Sequence, residues 1–240
     1  MGALTDEKVG KYVNEHFVTS YQKVGTFKIV GNNKQGGNVA SYFCAPDGRV
    51  LHCVAGPVDA GTFLREAQWV VDTLLAANKS SKGEGAKFKE AFRKAHAEKL
   101  LNETGLKVEP ITWDVETTSD TDALTYKDLS GRPLAPKLPP PPIDGPDVRL
   151  SEKEYNSRQD RANAAPGARE MQLGGKGGRR VVVNNQAIVH QLLAAHSMQK
   201  IETMYGTVFE NILGEKVSTK PVDVVRPFSW VDREGKRLGK

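Results

Sequence analysis

The chain has 240 residues, 38% of them hydrophobic and 26% charged, which is enough apolar material to form a folded core. Thirty-four Lys and Arg against 29 Asp and Glu give a net charge of +5, too mild by itself to indicate nucleic-acid binding. The longest apolar run is too short to cross a bilayer, and residues 1–7 lack the features of a secretory signal. The sequence as written therefore predicts a cytoplasmic protein without a membrane span.

The N-terminal region begins with an amphipathic pattern. Thr5 is a suitable N-cap and apolar side chains recur at helical spacing from Val9 onward, so we predict a helix over residues 5–16. Residues 17–24 predict a strand, because β-branched and aromatic residues are frequent there. Residues 31–38, rich in Gly and Asn, predict a loop.

A β-hairpin and a helix are the next predicted elements. Residues 39–45 and 49–55 flank the Pro-Asp-Gly sequence at 46–48, in which proline presets one turn angle and glycine accepts a left-handed conformation. These two segments therefore predict the hairpin. Asp59 can then cap a helix that carries one broad apolar face and ends near Asn78.

The middle of the chain is more polar. Residues 79–85 predict a linker, and residues 86–102 predict a second amphipathic helix. Residues 104–178 lose regular periodicity and include four consecutive prolines at 139–142, which favour an extended spacer. Within this spacer, residues 149–170 predict one short exposed helix.

The C-terminal part regains hydrophobic periodicity. Residues 181–183 predict a strand, and residues 185–214 carry a helical pattern that is broken near His196 and Ser197. Residues 233–240 form a basic tail without periodicity. We therefore expect a mainly helical segment over residues 179–240.

The order helix, strand, loop, hairpin, helix over residues 5–77 resembles the C-terminal two-thirds of a thioredoxin-like domain. The most specific stretch is residues 42–52, with its aromatic strand and Pro-Asp-Gly turn, followed by Gly56 and by an acid-capped helix containing Phe63 and Leu64. The resemblance implies an α/β fold of the thioredoxin-like three-layer α/β/α type, incomplete at the N-terminus.

This resemblance divides the chain into four parts. They are a partial thioredoxin-like domain (1–78), a basic amphipathic helix (79–103), a Pro/Gly-rich and mostly irregular spacer (104–178), and the helical C-terminal segment with its basic tail (179–240). The family's central strand has no match before residue 5. We therefore expect either that the natural chain begins upstream of the given sequence, which is the favoured interpretation, or that residues 107–113 or 179–183 replace the strand.

The redox machinery of the family has no counterpart in this sequence. Redox-active members carry a Cys-x-x-Cys motif at a helix N-terminus, and none occurs here. The position that matches the family's cis-proline is Val39. The resemblance thus implies a module without enzymatic activity. A longer chain with an upstream start would instead be a periplasmic or secreted thiol–disulfide oxidoreductase.

Cys44 and Cys53 are the candidate redox-sensitive thiols, and two cysteines exclude a disulfide-rich scaffold or a four-cysteine metal site. A three-residue hairpin loop pairs Ala45 with Arg49 and places the two thiols on opposite faces of the hairpin. A four-residue loop places them on one face but about 13 Å apart along the strands. Either arrangement predicts two separate thiols.

Histidine spacing gives no metal site and no cofactor. His190 and His196 are six residues apart and cannot share a helix face at metal-ligand spacing, so we interpret them as surface or packing residues. His16 and His52 can approach each other in a folded sheet, but neither has a Ser or Cys nucleophile arranged around it.

Two basic groups are candidate anion contacts. The first lies in the second helix, and the second follows the glycine-rich run at 174–178; a solvated surface is the favoured interpretation of both, and weak nucleic-acid binding is the alternative. The candidate residues are Lys87, Lys89, Arg93, Lys94, Lys176, Arg179 and Arg180.

Taken together, the sequence predicts a non-catalytic thioredoxin-like binding or structural module that acts through protein–protein contacts. The partner is expected to be another protein or a second copy of the chain. Its contact would use an incomplete sheet edge or the apolar helical stripe over residues 201–213.

Overall fold

The computed structural model describes residues 2–24, 27–30, 33–35, 37–108, 143–173, 178–217 and 223–225. Within these ranges the chain is a mixed α/β protein with small sheets. In chain order, the elements are a 3-10 turn (Ala3–Thr5), α1 (Glu7–His16), β1 (Lys28–Val30), β2 (Asn33–Gln35), β3 (Ala40–Cys44), β4 (Val50–Ala55), α2 (Ala60–Ser81), α3 (Gly85–Thr104), β5 (Leu106–Val108), β6 (Ile143–Pro146), α4 (Glu152–Ala164), β7 (Arg169–Gln172), β8 (Arg180–Val183), α5 (Asn185–Ala195), α6 (Ile201–Thr207), a π-helical turn (Val208–Ile212) and β9 (Asp223–Val225).

The strands form four small sheets in the described residues. Strands β3 and β4, β5 and β6, and β7 and β8 are antiparallel pairs. Strand β1 pairs with β2 antiparallel and with β9 parallel. The described parts of the two segments that were expected to supply a missing central strand lie in β5 and β8. These strands pair with β6 and β7 rather than with the β3–β4 hairpin.

The predicted hairpin is confirmed, and its turn has three residues, one of the two lengths considered from the sequence. The amide of Ala45 donates to the carbonyl of Arg49 at 2.8 Å, and Gly48 adopts φ +82°, a left-handed conformation that glycine accepts without strain. Phe43 pairs with His52 and Cys44 with Val50, so Leu51 is an extra residue in β4. This β-bulge shifts the alternation of side chains along the strand.

Helices cover the β3–β4 hairpin on both faces and along one edge. On one face, α1 and α2 pack over a cluster that contains Phe43, Leu51 and Phe63. On the other face, α5 and α6 pack over Val50 and Cys53. Helix α3 packs against both α2 and α5 and so lies beside the outer edge of β4. All six residues of β4 are consequently buried.

Local capping accounts for where several helices begin. The Asp6 carboxylate accepts from the amides of Lys8 and Val9 at the start of α1, and the Asp59 carboxylate accepts from the amide of Thr62 at the start of α2. Helix α2 therefore begins where the sequence predicts it, whereas α1 begins at Glu7, with Asp6 instead of Thr5 as its N-cap.

Other predictions differ from the structure. Residues 17–24 form no strand, since Phe17 packs on Phe43 while Val18 and Tyr21 are exposed and face no neighbouring strand in the described chain. The expected linker at 79–85 shrinks to three residues, because α2 continues to Ser81 and α3 begins at Gly85.

The expected spacer is ordered wherever it is described. Residues 104–178 contain β5, β6, α4 and β7, and these elements pack over a third apolar cluster that includes Leu106, Ile143 and Tyr155. The proline run at 139–142, Lys176 and the basic tail lie outside the described residues. The predicted interruption of the C-terminal helix near His196 is confirmed, since α5 ends at Ala195 and α6 begins at Ile201.

Candidate metal centre

Three buried histidines from three different elements meet between β4, α3 and α5. His52 lies in the middle of β4, directly after the bulge residue Leu51. His96 continues a buried stripe on α3 that repeats every four residues, with Phe92 before it and Leu100 after it. His190 lies on α5, which packs closely against α3. The side chains of all three histidines are at most 1% exposed.

The three imidazole rings are arranged around a common point. One ring nitrogen from each histidine lies within 4.8 Å of the other two. The ring centroids of His52, His96 and His190 are 5.0 to 5.5 Å apart. A tetrahedral ion with metal–nitrogen bonds of about 2.0–2.1 Å places two imidazole centroids about 5.2 Å apart. The spacing therefore suits three imidazole ligands on one ion.

Hydrogen bonds define which ring nitrogens carry protons. Nε2 of His96 lies 2.9 Å from the carbonyl oxygen of Leu51, which can only accept, so this nitrogen is the donor. Nδ1 of neutral His96 is then an acceptor and receives the Nδ1 proton of His190 at 2.8 Å. Nε2 of His52 donates to the Glu66 carboxylate at 2.9 Å.

This pattern leaves two lone pairs without a donor. Nδ1 of His52 and Nε2 of His190 are both buried, and neither has a hydrogen-bond partner within the described part of the chain. A buried acceptor without a partner costs about 1–3 kcal/mol, so the unmatched pair calls for an explanation. A cation bound among the three rings would coordinate Nδ1 of His52 and so satisfy one of these two acceptors.

Glu66 and Lys99 form an ion pair beside His52, on the side of its Nε2 atom. Glu66 on α2 is 6% exposed, and its carboxylate also accepts from the Lys99 ammonium of α3 at 2.5 Å. Burial would raise the pKa of Glu66, but the hydrogen bond from His52 and the charge of Lys99 outweigh burial and lower this pKa to about 2. Glu66 therefore stays ionised and holds the proton of His52 on Nε2.

Burial also keeps the imidazoles neutral. It lowers the pKa of His52, although the Glu66 carboxylate opposes this shift, and it lowers the pKa of His96 and His190 well below the usual histidine value. Neutral imidazole is the form that ligates metal ions.

Trp69 separates the histidines from a groove on the surface. Its ring contacts the rings of His52, His96 and His190 at centroid distances of 4.9, 5.0 and 5.5 Å. The same side chain is half-buried and lines a groove of about 590 Å³ between α2 and α3. The Lys99 ammonium lies 4.5 Å from the centroid of the Trp69 ring.

The two thiols lie elsewhere on the same hairpin. Cys44 and Cys53 are unpaired, as predicted, but both pack against the cluster under α5 and α6 instead of lying on opposite faces. The bulge at Leu51 explains the difference, since one extra residue reverses the alternation between Val50 and His52. Burial raises the pKa of Cys44 to about 11 and raises that of Cys53 further. Whether either thiol is redox-sensitive stays a prediction.

The candidate anion contacts do not form one surface. Arg93 is 6% exposed, and its guanidinium donates to the carbonyl oxygens of Ala194 and Ala195 at the end of α5, so its assignment to an anion-binding face is wrong. The reason is that α5 covers this part of α3.

The remaining basic candidates have acidic or aromatic neighbours. Lys87 and Lys94 lie on the exposed face of α3 beside Glu84 and Glu90, and Arg180 lies beside Glu170. The guanidinium of Arg179 stacks on the ring of Tyr155, and Lys89 is half-buried on α3. Lys176 lies outside the described residues. Val39, the position of the family's cis-proline, directly precedes β3 and is 48% exposed.

Sequence reasoning missed the three histidines as a group. Spacing within single helices does not reveal the group, because residues 52, 96 and 190 are brought together only by the packing of α5 against both α3 and β4. One signal was present, since His96 interrupts an apolar stripe at a position where a hydrophobic side chain is expected.

Comparison with protein-family models, with curated proteins and with solved structures finds no match to this chain. None of the helices in the described ranges combines the length and the apolar composition that crossing a membrane requires.

Proposed function

We propose that the chain binds a divalent first-row transition-metal ion through His52, His96 and His190. The observation that carries this proposal is the convergence of three buried, neutral imidazoles with one ring nitrogen of each within 4.8 Å. Imidazole ligands suit zinc, copper, iron and nickel ions. Zinc accepts this ligand set readily, because its filled d shell imposes no preferred coordination geometry.

The surroundings of the rings support a metal rather than a purely structural histidine cluster. Metal-ligating histidines usually donate their second ring nitrogen to a carboxylate or to a backbone carbonyl. His52 donates to Glu66 and His96 donates to the carbonyl of Leu51, so two of the three ligands already have such a partner. An ion between the rings would replace the proton shared by Nδ1 of His96 and Nδ1 of His190, and it would coordinate the unmatched Nδ1 of His52.

Equilibrium dialysis of the purified chain against Zn²⁺ tests the proposal. We expect about one tightly bound ion per chain, and the variants His52→Ala, His96→Ala and His190→Ala should each lose more than about 100-fold in affinity, beyond the cost of losing an outer-shell partner. His16→Ala is the matched control, because His16 is exposed at the end of α1. Circular dichroism identifies any variant that does not fold. Equal zinc affinity in the folded histidine variants and the parent chain would reject the metal site.

A second proposal is that residues 1–78 are a thioredoxin-like module that contacts another copy of the chain. The element order helix, hairpin, helix supports the family arrangement. Within the described residues β3 pairs with β4 on one side only, and Val39 beside it is 48% exposed. An edge strand of this kind is a template for pairing with another chain.

Sedimentation velocity tests the second proposal. It predicts a dimer that the edge substitution Val39→Lys converts to a monomer, because a charged side chain discourages edge pairing. Leu75→Lys, at an exposed position of α2 away from the hairpin, should leave the dimer intact. A parent chain that stays monomeric at all concentrations would contradict this proposal while leaving the metal site unaffected.

A further inference from the structure

The groove between α2 and α3 has the size and position of a ligand site for the ion. Its volume of about 590 Å³ lies within the range of small-molecule pockets. Thr73, Ala95 and Lys99 line it together with Trp69. Trp69 connects the groove with the buried rings, because it lines the groove and contacts all three imidazoles.

The ligand set leaves one coordination position open. Only three side chains of the described residues converge on the site, whereas structural zinc ions are almost always held by four protein ligands. A site with three protein ligands keeps its fourth position for water or for another exogenous donor. The groove between α2 and α3 adjoins this position, because Trp69 both lines the groove and contacts the three imidazoles.

The local charge favours an anion in that position. A divalent ion, the Glu66 carboxylate and the Lys99 ammonium together leave an excess of two positive charges around three neutral imidazoles. Leaving charge unbalanced in a buried place is unfavourable, and an anionic ligand on the ion reduces the excess. The groove itself is lined by two basic side chains, Lys99 and Arg161, and two acidic ones, Glu98 and Glu103, so the preference for an anion comes from the ion.

We infer that a small anionic donor reaches the ion through the α2–α3 groove, past Trp69, and occupies the fourth coordination position. Water or hydroxide would fill this position in the absence of another ligand, and small monoanions of the size of azide would exchange with it. This inference rests on the proposed metal site, and it assigns to that site an open position of the kind that catalytic metal centres have.

The test uses the full chain loaded with Co²⁺, whose visible d–d absorption reports coordination geometry. We expect Co²⁺ to give the intense absorption of a tetrahedral site, and we expect azide to shift these bands in a saturable titration. If Co²⁺ binds with the three-histidine dependence described above but azide leaves the spectrum unchanged, the inference is overturned and the metal-binding function stands. Absence of histidine-dependent Co²⁺ binding would instead remove the function itself.

A pair of variants tests the route. Thr73 is one helical turn after Trp69 and lines the groove, so Thr73→Trp should fill the space above the Trp69 ring. We expect this variant to keep the parent Co²⁺ spectrum and to weaken azide binding at least about 10-fold, because the added indole would block the groove. Leu75→Trp is the matched control on α2, because Leu75 is 62% exposed and does not line the groove. Equal azide affinity in both variants would show that anions do not use this groove.

Discussion

The β3–β4 hairpin carries two kinds of chemically reactive side chain in different surroundings. His52 faces two further imidazoles, a buried carboxylate and the ring of Trp69. Cys53 is surrounded by apolar side chains of α5 and α6, with Tyr42 as its polar neighbour. The difference shows that burial alone does not make a site. The three histidines are buried and have polar partners on several elements. Cys44 and Cys53 pack in an apolar cluster, where burial raises the pKa of both thiols.

The largest expected difference between the histidine region and the thiol region is their response to zinc. Zn²⁺ at 100 times its dissociation constant should stabilise the folded chain by about 2.7 kcal/mol, which corresponds to roughly 5–10 °C in Tm for a chain of this size. Differential scanning calorimetry should show this increase in the parent chain and in Cys44→Ser. The increase should disappear in His190→Ala. A zinc effect that depends on Cys44 and not on His190 would reverse the assignment of the two regions.

The contact between α3 and α5 should matter for the histidines more than for the thiols. Arg93→Gln removes the charged hydrogen bonds from α3 to the carbonyls that end α5, and we expect it to destabilise the chain by about 2 kcal/mol in urea unfolding. Zinc affinity should fall in this variant, because α3 and α5 carry two of the three histidines. Cys53 should stay shielded from thiol reagents in the folded state. Lys94→Gln, at the exposed neighbouring position, should change neither stability nor affinity. An Arg93→Gln chain as stable as the parent would show that this contact does not hold the two helices together.

The hydrogen bond from His52 to Glu66 should contribute less to zinc affinity than the histidine ligands themselves. Glu66→Gln keeps an acceptor for Nε2 of His52 but removes the negative charge, so zinc affinity should fall about 10-fold, or about 1.4 kcal/mol. Competition with a chelator of known affinity measures this change. Glu84→Gln, at the exposed turn between α2 and α3, is the control. A fall of similar size in both variants would point to a general charge effect instead of support for His52.

The smallest effect that we expect concerns Glu103, which lines the groove between α2 and α3 and affects how stability depends on pH. Burial raises the pKa of Glu103 to about 7, above its usual value, although Lys99 opposes the shift. The folded chain thus binds more protons than the unfolded chain between about pH 4.5 and 7, so this side chain lowers stability as pH rises through that window. Glu103→Gln should reduce the loss of Tm between pH 5 and pH 8 by about 1–2 °C. Glu98→Gln, an exposed residue of the same groove, should leave the difference unchanged.

Local patterns were sufficient to predict some of the elements but not the site. Capping by Asp59 and the Pro-Asp-Gly turn gave α2 and the hairpin correctly, because both depend on neighbouring residues. The strand expected at 17–24 was wrong, because strand formation depends on a partner that local sequence does not specify.

The histidine cluster shows the same limit more strongly. His52 and His190 are 138 positions apart in the sequence, and only the packing of helices around β4 brings them together. The bulge at Leu51 was also not predictable from side-chain alternation, yet it directs the carbonyl that fixes the proton of His96 and places both thiols on one cluster.

X-ray absorption at the zinc edge of the zinc-loaded chain is the most direct test of whether His52, His96 and His190 bind the ion, because it distinguishes imidazole from thiolate ligands. We expect about three nitrogen scatterers and one further light atom at roughly 2.0–2.1 Å, with the outer-shell pattern of imidazole rings and no sulfur. A sulfur scatterer at about 2.3 Å would assign the metal to the cysteines, and a spectrum of hydrated zinc would show that the three histidines hold no ion.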